Sequence, residues 1–289
     1  MVGAAKNAGG AVERGAQVRG SARRQSATAE RNAPGSFDIV GDVHGCLVEL
    51  LALMAELGYR VKRRGEVFEV TPPKGRTLVL VGDLVDRGPA APEVLRLAMG
   101  MTRAGTALCV AGNRDVELVR ALKGRVTQVS RGMARSLEQL APQPREFRAE
   151  VIRFLRGLPT HLLLDAKRLV IAHAGLKEAL QGRASAAARA FALHGELTGE
   201  RDASGLPIRR NWAKEYRGNA LVVHGHTPVA EPMWLGNTVN IDTGCVYGGH
   251  LTALRYPERE TVSISARAVY YTPRRTFAAN KALELRARK

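Results

Sequence analysis

A chain of 289 residues with 45% hydrophobic content can fill a full core, as one large domain or two small ones. Its formal charge of +17 excludes an acidic surface and favours polyanionic partners such as nucleic acid, unless it serves solubility alone. Three cysteines without metal-type spacing and no membrane-length apolar run exclude a disulfide scaffold and a membrane anchor, leaving a cytoplasmic protein with free thiols.

Residues 1–36 are rich in Gly, Ala, Arg and Ser with little hydrophobic periodicity, and read as a disordered basic segment. About half of the charge sits on the ends: +4 over residues 1–35 and +5 over the basic tail 274–289. Ordered sequence begins at Phe37 and extends to about residue 273 as one domain. Its first strand, "FDIV", runs into "GDVHG" (41–45). Leu47, Leu50, Leu51, Met54 and Leu57 then form the apolar stripe of a helix that ends at Gly58. A second strand, "TLVLV", runs into "GDLVDRGP" (82–89), and a helix follows from Pro92 to just before Gly105. "ALCV" runs into "AGNRD" (111–115), "RLVIA" into "HAG" (173–175), "ALVV" into "HGHTP" (224–228) and "TVNI" into "DTG" (242–244). Strand–helix alternation of this kind predicts an α/β fold, and in such sheets the side chains beyond the carboxyl ends of strands converge on one edge.

That edge collects Asp42, His44, Asp83, Asn113, His173 and His226. Singly, each has an ordinary reading as a turn-forming Asp or a hydrogen-bonded core His. As an ordered set of six they have none. Carboxylate, imidazole and amide oxygen suit divalent transition metals, and the lack of Cys ligands argues against structural zinc. Six ligands are too many for one open catalytic ion and right for two that share a carboxylate. Two ions roughly 3.5–4 Å apart can clamp an in-line displacement at phosphorus.

These motifs, in this order, resemble the phosphoprotein-phosphatase branch of the calcineurin-like metallophosphoesterases, from about Phe37 to Pro273. The stretches "VIAHAGL" (170–176), "FALHGELTGE" (191–200), "GLPIRRNWAKEYRG" (205–218) and "NIDTGCVYGGHLTALRYPER" (240–259) look most like the phosphatase domain of bacterial polynucleotide kinase-phosphatase. Neither a Walker-type phosphate loop nor a Lys-x-Asp-Gly motif occurs, so kinase or ligase activities would belong to separate partners. The resemblance implies a two-sheet β-sandwich flanked by helices, with the metal site at the carboxyl ends of the strands. It implies two divalent ions, manganese first, with iron, zinc or nickel as alternatives. Asp42 and His44 would hold the first ion, Asp83 would bridge, and Asn113, His173 and His226 would hold the second. Arg87 would grip the phosphate as a forked donor, Asp86 would orient the leaving-group acid, and Asp242 would support the site from behind.

Arg209 and Arg210 are further candidates for phosphate contact, or part of a solvated face. The connection 176–219, with Trp212 and Tyr216, is a candidate to lie over the site and shape substrate choice. His224 stands where the family often has an aromatic residue and is left out of the ligand set. His161, His194 and His250 carry no assigned chemistry, and Cys46 and Cys245 read as small packing residues.

Arg114 is the departure. In the resembled family the residue after the metal-binding Asn is a His that protonates the leaving alkoxide, and a guanidinium gives up a proton poorly. Three readings follow. The chain is a phosphohydrolase weakened or redirected toward good leaving groups such as aryl esters, pyrophosphate-type links or strained cyclic phosphates, with Arg114 stabilising the leaving oxygen by charge. Or it is a recognition module for phosphorylated nucleic-acid ends. Or it is an ordinary nucleotide or phosphoprotein phosphatase on which Arg114 is a lesion. The first expected substrate is an RNA or nucleotide end bearing a 2′-, 3′- or cyclic phosphate. Protein serine/threonine phosphatase and dinucleoside polyphosphatase are the alternatives.

Overall fold

The computed structural model describes residues 28–31, 35–202, 205 and 207–272. In chain order its elements begin with β1 (Thr28–Arg31), β2 (Ser36–Val40), α1 (Leu47–Glu56), β3 (Arg60–Arg64), β4 (Val67–Thr71), β5 (Arg76–Leu80), α2 (Ala91–Arg103) and β6 (Ala107–Cys109). They continue with α3 (Asn113–Leu122), α4 (Arg131–Leu140), α5 (Arg145–Gly157), β7 (His161–Leu164), β8 (Leu169–Ala172) and α6 (Ala186–His194). Last come β9 (Leu197–Arg201), β10 (Pro207–Arg209), β11 (Leu221–His224), β12 (Met233–Leu235), β13 (Thr238–Asn240), β14 (His250–Tyr256) and β15 (Glu260–Ser265).

Two mixed sheets form the body, in the orders β15-β14-β2-β5-β6 and β1-β7-β8-β11-β13-β12. The three parallel strands β2, β5 and β6 belong to the first, and the parallel set β8, β11 and β13 to the second. Strand residues alternate faces with period two. Ile39 and Val79 from one sheet meet Ile171, Val223 and Val239 from the other in the inter-sheet core. Their neighbours Val40, Leu78 and Leu80 face outward into a helical layer with Leu50, Met54, Val94, Leu95, Leu118 and Val151. On the opposite flank Val170, Ala172 and Val222 pack against Leu176, Ala192, Trp212 and Tyr216. Every strand of the parallel sets is thus buried on both faces, which explains the continuous apolar runs. Full burial of each such aliphatic side chain is worth ~1.5–3 kcal/mol.

One element lies where composition predicts disorder. β1 falls inside residues 1–36, yet pairs in parallel with β7, Thr28 opposite His161. The ladder partner is remote in sequence, so the local pattern carries no trace of it. Residues 1–27 and the basic tail 274–289 lie outside the described residues. Among the described residues no helix is long and apolar enough to cross a membrane.

Candidate metal centre

Each sheet contributes three strand ends to one site. From the first, β2 delivers Asp42 and His44, β5 delivers Asp83, and β6 delivers Asn113 at the start of α3. From the second, β8 delivers His173, β11 delivers His226 and β13 delivers Asp242. The loops turn sharply. His44, Asp83, Asp86, Arg87 and His226 all sit at positive φ, between 46° and 81°, a region non-glycine residues rarely adopt. They make up five of the nine such residues among those described. The backbones also approach closely: a Cβ on Gly112 would overlap the Asp83 backbone and carboxylate, and one on Gly225 would overlap the Asp42 carboxylate.

The side chains divide into two groups that share Asp83. Asp42, His44 and Asp83 form one, and Asp83, His173 and His226 the other. His44 Nε2 lies 4.0 Å from Asp42 Oδ2 and 3.6 Å from Asp83 Oδ2. His173 Nε2 lies 3.4 Å from Asp83 Oδ1, 2.9 Å from Asn113 Oδ1 and 3.0 Å from His226 Nδ1. The tautomers follow from the outer partners. His44 Nδ1 donates to Val85 O at 2.8 Å and His173 Nδ1 to Val81 O at 3.1 Å, so both Nε2 lone pairs face inward. Imidazole lone pairs, an amide oxygen and carboxylate oxygens therefore converge, acceptor against acceptor. His226 Nε2 is buried without a hydrogen-bond partner. Such a donor set fits two divalent cations bridged by Asp83, which offers one oxygen to each group.

Electrostatics agree. Burial drives His44 down to about 3, with Arg87 adding to it, and holds His173 and His226 below the usual imidazole range. The ring nitrogens are thus neutral, as metal ligands must be. Burial pushes Asp42 well up, helped by the Asp242 and Asp83 carboxylates. It pushes on Asp83 too, but the adjacent His173, His44 and Arg114 groups, with the Arg114 backbone N–H, hold that carboxyl low. Two carboxyls this close do not both ionise without a cation between them.

Around the ligands stand the remaining candidates. Arg87 Nη1 donates to His44 Nε2 at 2.8 Å, and Nη2 pairs with Asp86 Oδ2 at 3.2 Å. Arg114 also pairs with Asp86: its Nε lies 3.3 Å from Oδ2, its Nη1 bonds Glu117 Oε2 at 2.8 Å, and its backbone N–H donates to Asp83 Oδ1 at 2.9 Å. Asp86 is buried between two guanidiniums, and burial still lifts it to about 6 against their pull. Asp242 accepts from Gly244 N and is raised to about 7 by burial. Of the two arginines on β10 and beyond, Arg209 is the one whose charge acts on His173 and His226. Both side chains are exposed, and the Arg210 backbone N–H donates to Glu196 O.

The connection 176–219 does reach the site, but through other residues than its aromatics. Trp212 and Tyr216 are buried in the outer core, and the Trp212 ring sits 5.3 Å from that of His224. His194 and Arg209 are what that connection presents. The His194 ring lies 6.5 Å from that of His226, and Arg209 Nε donates to His194 O at 3.0 Å. Sequence reasoning assigned His194 nothing, because its helix-terminal position shares no spacing with the strand ends. It also passed over Asp115, which is fully buried and accepts from Leu84 N at 3.0 Å and Gly112 N at 2.9 Å. Those bonds tie the Asp83 loop to the Asn113 loop. The available signal was its place as the third residue of α3, where a carboxylate reaches back to the helix start. The three cysteines are free and buried, and Cys46, Glu49 and Cys245 cluster behind the metal loops.

Comparison with known proteins places this geometry. The family model for calcineurin-like phosphoesterases matches residues 35–230. The chain is 43% identical over 238 residues to bis(5'-nucleosyl)-tetraphosphatase PrpE [asymmetrical] of Anoxybacillus flavithermus, covering 81% of this chain and 96% of that one. It is 45% identical over 232 residues to the protein of the same name from Geobacillus thermodenitrificans, covering 79% and 93%. A crystal structure provisionally named a diadenosine tetraphosphatase superposes with a TM-score of 0.62 at 25% identity, covering 83% of this chain and 98% of that chain. These relatives correct one expectation. The likeness extends along nearly their whole length to tetraphosphatases rather than to polynucleotide kinase-phosphatase.

Proposed function

The chain belongs to the calcineurin-like phosphoesterase family, hydrolases of phosphoric ester bonds, and from that premise we propose that it cleaves dinucleoside tetraphosphates asymmetrically. A tetraphosphate bridge divides unequally in only one way, into a nucleoside triphosphate and a nucleoside monophosphate. The observation that carries this reading is the Arg114–Asp86 ion pair in the place of a proton donor. An alkoxide leaving from a ribose or serine needs a proton. A phosphate chain leaving from an anhydride does not, because the phosphate second pKa is about 6 and the departing oxygen is stable as an anion. What it needs is charge neutralisation at a fixed position, which a guanidinium supplies without titrating. Arg114 is thereby a fitting residue for anhydride cleavage rather than a defect. RNA ends, the substrate expected first from sequence, are alkyl phosphomonoesters or cyclic diesters whose leaving group is a ribose alkoxide, and fit the site less well.

Asp42 and His44 would hold one divalent ion, Asn113, His173 and His226 the other, and Asp83 both. This mixture of carboxylate, imidazole and amide accommodates manganese, which the family resemblance puts first, as well as iron, zinc or nickel. When bound, the two ions would neutralise phosphoryl oxygens and make a water molecule more acidic. The protein's own cations do the rest. Arg87 grips a phosphoryl oxygen beside His44, Arg114 faces the leaving oxygen, and Arg209 receives the longer arm of the polyphosphate. Asp86 holds Arg87 and Arg114 in place through one shared carboxylate oxygen.

Hydrolysis in the presence of Mn²⁺ tests the reading. Dinucleoside tetraphosphate should be consumed faster than an aryl phosphomonoester, and that faster than an RNA 3′-phosphate. The products should be triphosphate and monophosphate. Two diphosphates, or an RNA 3′-phosphate cleaved as fast as the dinucleotide, would overturn it.

A further inference from the structure

Arg87 is flanked by aromatic rings that the chemistry at phosphorus does not require. Its guanidinium carbon lies 5.4 Å from the centroid of Tyr247 and 5.8 Å from that of Tyr271. The two rings meet edge-on, with centroids 6.4 Å apart. Arg131, exposed at the first position of α4, brings a second guanidinium to 5.9 Å from Tyr271.

Tyr271 is brought there deliberately by the chain that follows β15. That stretch turns back over the metal loops, where Tyr270 and Tyr271 both donate backbone N–H bonds to Val246 O. It is pinned from below by Glu49, buried in α1, whose Oε1 accepts from Arg267 N at 2.9 Å and Tyr270 OH at 2.7 Å. A buried carboxylate costs free energy unless it is hydrogen-bonded. Its use as an anchor for this stretch shows that the position of Tyr271 is fixed rather than incidental.

We propose that Tyr271 and Arg131 form the jaws of a nucleoside-base site, with the purine stacked on the tyrosine ring and Arg87 linking that site to the metals. Planar bases stack on aromatic rings and on guanidinium planes alike. Arg87 lies against both the His44 ring and the Tyr271 ring, which puts the base site next to the metal centre. In this arrangement the half of the substrate held here is the one released as monophosphate, and the three-phosphate arm extends across Arg114 toward Arg209. Asymmetric cleavage then follows from where the base is clamped. This inference rests on the proposed dinucleotide substrate, but its test does not depend on turnover.

The test is binding of AMP and of inorganic phosphate to the full-length, Mn²⁺-loaded protein by calorimetry. The wild type should bind AMP at least 10-fold more tightly than phosphate. Tyr271→Ala should lose roughly 10- to 100-fold in AMP affinity, the range that base–aromatic stacking confers, with phosphate affinity unchanged. Tyr271→Phe should retain AMP binding, and Arg131→Ala should weaken it in the same direction. Equal losses for AMP and phosphate in Tyr271→Ala would mean that the ring only steadies Arg87, and would overturn the base site. So would a wild type that binds AMP no better than phosphate, even if it cleaves dinucleotides asymmetrically. A wild type that fails on dinucleotides but keeps the Tyr271-dependent AMP preference would remove the proposed substrate and leave the base site standing.

Discussion

Replacing Arg114 by His should invert the substrate preference. The exchange leaves the scaffold intact, because the backbone N–H of residue 114 keeps its 2.9 Å bond to Asp83 Oδ1 and the bridging carboxylate stays in place. Asp86, now 3.3 Å from the Arg114 Nε, is positioned to take the imidazole as its partner and keeps its 3.2 Å pair with Arg87. Asp86 titrates at about 6 beside Arg114, whose charge lowers it, and a protonated imidazole in the same place supplies that charge again and pairs with the carboxylate. An alkyl phosphomonoester then gains a general acid, worth roughly 10²–10⁴-fold. The tetraphosphate loses a permanent charge at its leaving oxygen. A hydrogen bond to a charged group is worth about 1.5–3 kcal/mol, which is roughly a 10- to 150-fold loss. Together the ratio of kcat/KM for alkyl ester over dinucleotide should rise by about 10³ or more. Steady-state kinetics of both substrates at pH 7.5 with saturating Mn²⁺ measure it. An unchanged ratio would refute the argument that Arg114 acts by charge, whatever happens to the absolute rates.

Asp83→Asn should lower bound Mn²⁺ from two ions per chain to one or none, whereas Asp42→Asn should spare the second site; elemental analysis after gel filtration reads the count. Gly225→Ala should cost metal affinity without replacing a candidate ligand, since the added methyl displaces the Asp42 carboxylate, and titration calorimetry with Mn²⁺ checks it. Stability of the chelator-treated protein should fall between pH 6.5 and 8. Asp242 and Asp115 titrate at about 7 and about 8 in the fold, well above the unfolded carboxyl, so the native state holds more protons and loses that stabilisation as pH rises through those values. Below about pH 6.5 the buried histidines oppose this trend, because His224 and His161 resist protonation down to about 4. Thermal melts across that range, with and without Mn²⁺, should show the slope only in the metal-free samples.

Much of the fold was legible because both faces of each parallel strand are buried. "FDIV", "TLVLV" and "RLVIA" are continuous apolar runs, and a polar cluster right after each stands out. The six candidate ligand positions follow from the same rule, since a parallel sheet gathers its carboxyl ends on one edge. Residues that reach the site by other routes were not legible. His194 arrives from a helix terminus and Tyr271 from a stretch beyond the last strand, and no period relates either to the strand ends. Arg209 and Arg210 could not be ranked from sequence, because where the short strand β10 ends, and so which of the two adjacent side chains is turned toward the site, is set by its pairing with β9. β1 escaped for a related reason, its pairing being a property of β7 rather than of its own composition.

The split between legible and hidden residues follows a division of labour in the site. Groups that must meet a cation sit at strand ends in strained turns. A left-handed backbone at a non-glycine residue costs about 1–3 kcal/mol, and it persists only where the surroundings over-determine it. Here that role falls to buried carboxylates outside the candidate ligand set: Asp115 ties the Asp83 loop to Gly112, Glu49 pins the segment bearing Tyr270, and Asp86 clamps two arginines. Each sits close to a metal-binding motif in sequence, so each reads as part of the motif's helix or turn and not as its support. Arg114 fits the same logic. Its charge is held by Asp86 and Glu117, so it presents a fixed cation where a proton donor would have to titrate. On the proposed anhydride substrate that titration is not needed, and an arginine where the resembled family has a histidine then reads as a change of substrate rather than a loss of activity.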